Sequence, residues 1–248
     1  MTSDFHHRAL ITGATSGIGK ATAMEFARLG VDLVLVSRSS ETLTQVADDA
    51  RAKAIAETGQ PINISTYAMD LAEVAQVRSK VETIANEAHP ITILVNNAGM
   101  GYTGTLMDTS LDDWQTVLTL NLTSVFQCIL GILPSMRDRQ QGTIINVASI
   151  AAHLSFPGWG AYNVSKAGLV SLSKTLSAEE KENGIRVMLV TPGAVNTPIW
   201  DTETVHADFN RTKMLTPDMV AQSIVHAALL PSNALIEELV ITPSAGAL

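Results

Sequence analysis

Thr12-Gly13-Ala14-Thr15-Ser16-Gly17-Ile18-Gly19 lies between a short apolar run, residues 9–12, and an Ala-rich amphipathic segment, residues 20–29. Three glycines therefore occupy a turn that leads from a strand into a helix. Such a turn lets a ligand approach the backbone closely: its N–H groups and the helix N-terminus face a pyrophosphate, and the third glycine lets the helix pack tightly on the strand. Gly13, Thr15, Ser16, Gly17, Ile18 and Gly19 are accordingly the expected phosphate-side residues of a dinucleotide site. Their spacing, Gly-x-x-x-Gly-x-Gly, differs from the Gly-x-Gly-x-x-Gly fingerprint but uses the same physics.

The strand-then-helix alternation repeats outward from that turn. β-Branched runs at residues 33–37, 62–67, 91–96, 143–148, 186–191 and 239–242 read as strands, most of them nearly continuous in Val, Ile and Leu. Strands buried on both faces look like this. Helical patterns lie between them at residues 41–57, 72–87, 111–138, 161–183 and 217–229. Gly30 and Gly59 each follow a helical pattern and can take the left-handed conformation that ends one. Thr216-Pro217-Asp218 opens the last helix with a capping hydroxyl, a first-turn proline and an acid at the positive end of the dipole. No linker, low-complexity tract or repeat interrupts the series. The expectation is one α/β domain over residues 1–248, a Rossmann-type doubly wound parallel sheet of about seven strands flanked by helices. Residues 196–215 break the period, carry Trp200, His206 and Phe209, and follow a strand's C-terminal end, where a long loop is expected to cover a site.

Composition narrows the function. Charged residues make up 16% of the chain, below the roughly 25% usual for globular domains, and the formal charge is −8. With no basic run to neutralise phosphates, nucleic acid is not an expected partner. No run reaches ~18 consecutive apolar residues, so no membrane partner is expected either. The N-terminal MTSDFHHRAL lacks the layout of a signal peptide, and a cytoplasmic location is expected. Cys128 is the only cysteine, which rules out an internal disulfide and a thiolate zinc cage. His6 and His7 have no third ligand at suitable spacing, so no metal site is expected.

At the end of the second strand the chain reads Val36-Ser37-Arg38-Ser39, without the acid that often binds the adenosine ribose. An acid there repels a 2′-phosphate, whereas Arg38 and the hydroxyls of Ser37 and Ser39 can hold one through charge-assisted hydrogen bonds. This points to NADP(H) over NAD(H), the other reading of Arg38 being a solvated surface side chain.

Five further features follow in order: Asn96-Asn97-Ala98-Gly99 after the fourth strand, Asn121 within Leu120-Asn121-Leu122-Thr123-Ser124-Val125-Phe126, Ser149 after the fifth, Tyr162-x-x-x-Lys166, and Pro192-Gly193 after the sixth. With the glycine turn, this set resembles the short-chain dehydrogenase/reductase family over essentially the whole chain. Chemistry makes independent sense of the residue types. A ketone accepting hydride develops alkoxide charge and needs a proton donor, which Tyr162 can be. Free phenol has a pKa near 10 and needs a cation to stabilise its phenolate; Lys166, four residues on, shares its helical face. The resemblance also implies that Lys166 binds the nicotinamide ribose, Ser149 orients the substrate oxygen, and Asn121 holds a water linking Lys166 to solvent. It places Asp70 and Leu71 at the adenine, Asn97, Ala98 and Gly99 along the cofactor, and Pro192, Gly193, Val195 and Thr197 at the carboxamide. Asp70 can equally cap the helix that follows it.

Placement after these motifs puts Met100, Tyr102, Ala151, His153, Phe156, Trp159, Trp200 and Met214 around the reacting carbonyl. The set is mostly apolar and aromatic, suited to a hydrophobic or aryl carbonyl more than to a polyol. His153 reads either as an extra acid or, more commonly for such a residue, as a loop-closing hydrogen-bond partner; Trp114 reads as packing. The expected activity is NADPH-dependent reduction of a ketone or aldehyde, reversible as an alcohol dehydrogenase. The alternatives are a 3-oxoacyl-[acyl-carrier-protein] reductase, for which Arg137, Arg139 and Arg211 could dock an acidic carrier, and a catalytically silent NADP(H) sensor or scaffold. The resemblance implies that the helices at residues 111–138 and 161–183 pair across subunits, so a homotetramer, or a dimer, is expected.

Overall fold

The computed structural model describes residues 7–87, 90–244 and 246. His6 and most of the N-terminal segment read above lie outside those residues. Strands β1 (Arg8–Thr12), β2 (Asp32–Ser37), β3 (Ile64–Ala68), β4 (Ile93–Asn96), β5 (Gly142–Val147), β6 (Ile185–Pro192) and β7 (Glu238–Ile241) form one sheet in the order β3-β2-β1-β4-β5-β6-β7. Every pairing in it is parallel. The order reverses between β1 and β4, so the crevice above their C-terminal ends is the natural ligand site.

Alternate side chains of β1, β2, β4, β5 and β6 go to opposite cores, which is why these strands read as nearly unbroken apolar runs, unlike the partly exposed edge strands β3 and β7. Ala9, Ile11, Leu33, Leu35, Ile93, Val95, Ile145 and Val190 pack with α1 (Gly17–Arg28), α2 (Ser40–Thr58) and α7 (Pro217–Ala228). Leu10, Val34, Val36, Leu94, Ile144 and Val187 pack on the other face with α3 (Val74–Glu87), α5 (Ser124–Asp138) and α6 (Gly160–Glu180). Each fully buried Leu or Ile contributes roughly 1.5–3 kcal/mol of transfer free energy, so the two layers hold the strand ends in fixed register.

Local chemistry shifts some boundaries from the sequence expectation. β3 starts at Ile64 because Asn63 N–H donates to the buried Asp32 carboxylate (2.7 Å) instead of entering the ladder. Arg8 donates to the same carboxylate at 2.9 Å. The helix expected over residues 111–138 is continuous but not uniform: α4 (Leu111–Leu118) passes through a π-helical turn, Thr119–Thr123, into α5. An 18-residue window of Leu111–Asp138 has mean hydropathy 1.7, long and apolar enough on composition to cross a membrane, yet half of that window is buried inside the fold. Its inner face is packed against α3, which accounts for the apolarity.

Candidate active site

The glycine turn crosses from β1 to α1 as expected. Gly13 and Gly17 adopt φ of +65° and +50°, where a side chain is strained. A Cβ on Gly19 would lie 2.2 Å from the Gly13 carbonyl oxygen and 2.5 Å from Asn97 Nδ2, so only glycine lets α1 begin this close to the turn. Capping chemistry separates this helix from α2, α4 and α7, although α6 also starts without a side-chain cap. Ser39, Ser110 and Thr216 cap α2, α4 and α7 by accepting from backbone N–H groups, whereas Ser16, at the start of α1, makes no such bond. The first-turn N–H groups of α1 are thus left without a side-chain acceptor, at the positive end of the dipole, facing the crevice. A glycine cradle beside an uncapped helix N-terminus fits a dinucleotide pyrophosphate.

At the C-terminal end of β2, Ser37 Oγ lies 2.8 Å from Thr15 Oγ1 and clasps the glycine turn. Arg38 is exposed and makes no hydrogen bond or ion pair among the described residues. Ser39 has a second duty that the sequence reading did not give it, since its hydroxyl accepts from Thr42 N at 3.2 Å. Asp70 is exposed and its Oδ1 accepts from Ala72 N at 2.9 Å, which closes a turn ahead of α3 and does not cap that helix, since α3 starts only at Val74; Leu71 is buried. Asn97 Nδ2 donates to the Thr12 and Gly13 carbonyls (3.1 and 3.3 Å), and the N–H groups of Asn97 and Ala98 donate to Thr12 Oγ1. The Asn-Ala-Gly segment is thereby tied to the glycine turn it faces.

Ser149 ends β5's extension and accepts from Ala151 N at 3.2 Å, which starts a short 3₁₀ turn, Ile150–Ala152. From α6, Tyr162 and Lys166 rise on one face toward it. Burial pushes the Tyr162 phenol above its ordinary pKa, and the Ser149 hydroxyl bonded to it partly offsets this. Tyr162 therefore holds its proton at neutral pH. Lys166 is buried and Nζ donates to the Val147 carbonyl at 3.0 Å. Desolvation lowers its pKa to about 8. Its Nζ stands 5.8 Å from the Tyr162 ring centroid.

Asn121, fully buried in the π turn, clamps the site from below. Its Oδ1 accepts from Met100 N (2.8 Å), and Nδ2 donates to Met100 O (2.9 Å) and Ser165 Oγ (3.1 Å). Ser165 then donates to the Tyr162 carbonyl at 2.7 Å. Sequence reasoning missed Ser165, although its place on the helical face between Tyr162 and Lys166 marked it. A Cβ on Gly99 would sit 3.0 Å from Asn121 Oδ1 and 3.8 Å from Lys166 Nζ, so the fourth strand's loop closes the same cluster.

The expected pocket residues divide. Trp159 meets Tyr162 edge-on with ring centroids 5.6 Å apart, Trp200 meets Trp159 at 6.0 Å, and Phe209 continues the row at 5.4 Å from Trp200. Met214, Trp200 and Phe209 border a cavity of about 200 Å³ lined wholly by residues of the loop itself. Met100 is bonded through its backbone to Asn121, Ala151 is buried beside Ser149, and Phe156 is half-buried before Trp159. Tyr102 stays packed beside Met100 and Ala161, whereas His153 bonds away from the site. Tyr102 is buried with Val117, Ala161 and Trp114, its hydroxyl donating to Asp113 at 3.3 Å. His153 pairs through Nε2 with Glu238 on β7 at 2.6 Å, closing its loop onto the sheet edge. Of the carboxamide segment, Gly193 N–H donates to the Ile241 carbonyl (2.8 Å), and Thr197 is buried with its methyl 3.1 Å from where a Gly17 Cβ would stand. Among the described residues no cluster of three or more His, Cys, Asp or Glu side chains could hold a metal.

A dinucleotide cradle joined to a proton donor, a hydroxyl and a buried ammonium at the strand ends defines an oxidoreductase of the Rossmann type. Residues 7–208 match the short chain dehydrogenase family, and the chain belongs to it. It is 36% identical to a 3-oxoacyl-[acyl-carrier-protein] reductase of Synechocystis sp. over 200 residues, 81% of this chain and 78% of that protein. An alcohol dehydrogenase of the archaeon Thermococcus sibiricus, solved with 5-hydroxy-NADP, superposes with TM-score 0.84 at 25% identity over 97% of each chain. A short-chain dehydrogenase from Sphingobium yanoikuyae in complex with NADPH superposes with TM-score 0.81 at 30% identity, over 96% of this chain and 88% of that one.

Proposed function

We propose that the protein is an NADPH-dependent carbonyl reductase for hydrophobic or aryl ketones and aldehydes, working in reverse as an alcohol dehydrogenase. The observation that carries this is the gathering of three groups at the strand ends: the half-buried Tyr162, the Ser149 hydroxyl bonded to it, and the buried Lys166 Nζ 5.8 Å from its ring centroid. The nicotinamide, when bound, supplies hydride to the carbonyl carbon. Ser149 donates to the carbonyl oxygen and orients it, Tyr162 gives up its proton as alkoxide charge grows, and Lys166 stabilises the phenolate left behind. Thr197 would hold the carboxamide through its hydroxyl, and Asn121 keeps Met100 and α6 in place around the reacting atoms. The aromatic row from Trp159 to Phe209 favours an apolar, flat substituent on the carbonyl. A panel of ketones, aldehydes and β-ketoacyl thioesters, assayed with NADPH and NADH in parallel, tests the reading; turnover confined to the thioesters would overturn it.

Preference for NADPH is inferred from Arg38, exposed and without a partner among the described residues, next in sequence to Ser37, whose hydroxyl meets that of Thr15; the neighbours solved with NADP(H) support it. Arg38→Asp is expected to raise the KM for NADPH by about 10- to 100-fold, the loss of one or two charge-assisted bonds to a 2′-phosphate, and to leave the KM for NADH within a few-fold. Steady-state kinetics with both cofactors reads this directly, and a wild type that already prefers NADH overturns it.

Similarity to the Synechocystis protein favours a second reading, a 3-oxoacyl-[acyl-carrier-protein] reductase. Against it, the arginines that could dock an acidic carrier are engaged within the chain: Arg137 with Glu180, Arg139 with Ser135 and the Ile91 carbonyl, Arg211 with Asn196, Asp201 and Thr197. The sequence after β7, Thr242-Pro243-Ser244-Ala245-Gly246, also lacks the Gly-Gly pair of such reductases. A silent sensor would have lost Tyr162, Ser149 or Lys166, and all three are present. Assembly as a homotetramer through α4–α5 and α6 belongs to the same proposal; sedimentation velocity showing monomer alone would refute it.

A further inference from the structure

The loop at residues 196–215 is held by more than its base. At the base Val195 pairs with Leu215, Asn196 N–H donates to the Leu215 carbonyl at 2.9 Å, and Leu215 N–H donates to the Ala194 carbonyl at 2.9 Å. Its outer part hangs on the loop after β4, with Thr103 N–H donating to the Thr204 carbonyl at 2.8 Å and Thr204 Oγ1 donating to the Gly101 carbonyl at 2.8 Å. Beyond the base, Arg211 fastens the returning arm to the outgoing one. Its Nε donates to Asn196 Oδ1 (2.8 Å), one terminal nitrogen to Asp201 Oδ1 (2.5 Å), and the other to the Thr197 carbonyl (3.0 Å). Three acceptors from three residues are thus gathered by one planar guanidinium, a geometry that a lysine ammonium cannot reproduce.

What those bonds fix is a residue facing the glycine turn. Thr197 is buried with its methyl against Gly17, and the Trp200 indole N–H, donating to the Val195 carbonyl at 2.7 Å, braces the same segment from inside. The Arg211–Asp201 pair on its own is exposed and worth little. The bonds to Asn196 and the Thr197 carbonyl are the ones that constrain backbone.

We propose that Arg211 is a positioning residue for the nicotinamide end of the cofactor site, locking Thr197 against the glycine turn by its triple donation to Asn196, Thr197 and Asp201. This rests on the reading of the crevice as an NADP(H) site. It separates Arg211 from the carrier-docking role, since a guanidinium committed to three internal acceptors has little left for an outside partner.

Binding of NADPH and of 2′,5′-ADP, which carries only the adenosine half, to wild type, Arg211→Ala, Arg211→Lys and Asp201→Asn provides the test. Losing the hydrogen bonds of a charged donor is expected to weaken NADPH binding about tenfold in Arg211→Ala, with KM for NADPH rising to match and kcat falling less than about threefold. Arg211→Lys should restore little of it. Binding of 2′,5′-ADP should stay within about twofold in every variant, and so should NADPH binding by Asp201→Asn, because the exposed pair contributes least. Equal NADPH affinity in wild type and Arg211→Ala would overturn the proposal. So would full rescue by Arg211→Lys, or a parallel loss of 2′,5′-ADP binding. A wild type that binds neither ligand would instead defeat the underlying function reading.

Discussion

Tyr162→Phe is expected to lower ketone reduction by about a thousandfold, within the range that a positioned general acid supplies, while NADPH still binds. The change removes one oxygen. The ring remains, and with it the edge-on contact to Trp159 at 5.6 Å and the packing of α6. The phenol is held protonated by burial, so its loss removes the donor itself and not merely a hydrogen bond to it. Lys166 sets the pH dependence. Its pKa is lowered to about 8, so the ammonium is present below that value and is lost as pH rises through it. Reduction in the wild type should therefore fall above about pH 8, where the developing phenolate is no longer stabilised, and Lys166→Met should flatten that limb at a low rate. A kcat/KM profile from pH 6 to pH 10 with titrated NADPH binding checks both, the pH limits being roughly two units either side of that value. Unchanged turnover in Tyr162→Phe would sink the mechanism.

Gly19→Ala is the second change expected to act strongly, and it acts on the cofactor cradle. The added methyl would stand 2.2 Å from the Gly13 carbonyl oxygen and 2.5 Å from Asn97 Nδ2. Neither neighbour can move independently. Gly13 is in the left-handed region, and Asn97 is tied by its side chain to the Thr12 and Gly13 carbonyls. α1 must therefore back away from the turn, taking Ala23, Phe26 and Ala27 out of register with α2 and α7. Overpacking of this kind costs about 1–3 kcal/mol. The melting temperature should fall by roughly 2–4 °C per kcal/mol, and the rise that NADP⁺ gives to the wild type should disappear. Thermal melts with and without NADP⁺ read both effects. A variant that keeps the ligand-induced rise would show that the cradle tolerates the methyl and that the pyrophosphate does not sit there.

Much of this site is readable from sequence because its determinants are local. A strand buried on both faces is apolar along its middle, as β1 is at Ala9–Ile11 and β2 at Leu33–Val36, and a turn that brings α1 against Asn97 must be glycine. Tyr162 and Lys166 share a face because the helix repeats every 3.6 residues. The π turn at Thr119–Thr123 escaped the same reading, since one wider turn leaves the apolar pattern of a long helix almost unchanged.

The residues whose contacts period and local chemistry did not reveal have partners farther along the chain. Of the two readings of His153 the loop-closing one holds, but its partner, Glu238, lies 85 residues away and could not be named from the sequence. Tyr102 belongs to a small core under α4, and Arg211 reads from sequence as a free surface charge until Asn196, Asp201 and Thr197 are brought around it. Ser165 shows the same division within one motif, its helical face set by spacing and its bond to Asn121 only by the packing of α6 on the π turn. Backbone sterics and the burial of apolar faces act through neighbours at fixed spacing and are written in the pattern of residues. Which distant acceptor a polar side chain meets depends on how whole layers pack, and that is decided when the sheet and its helices come together.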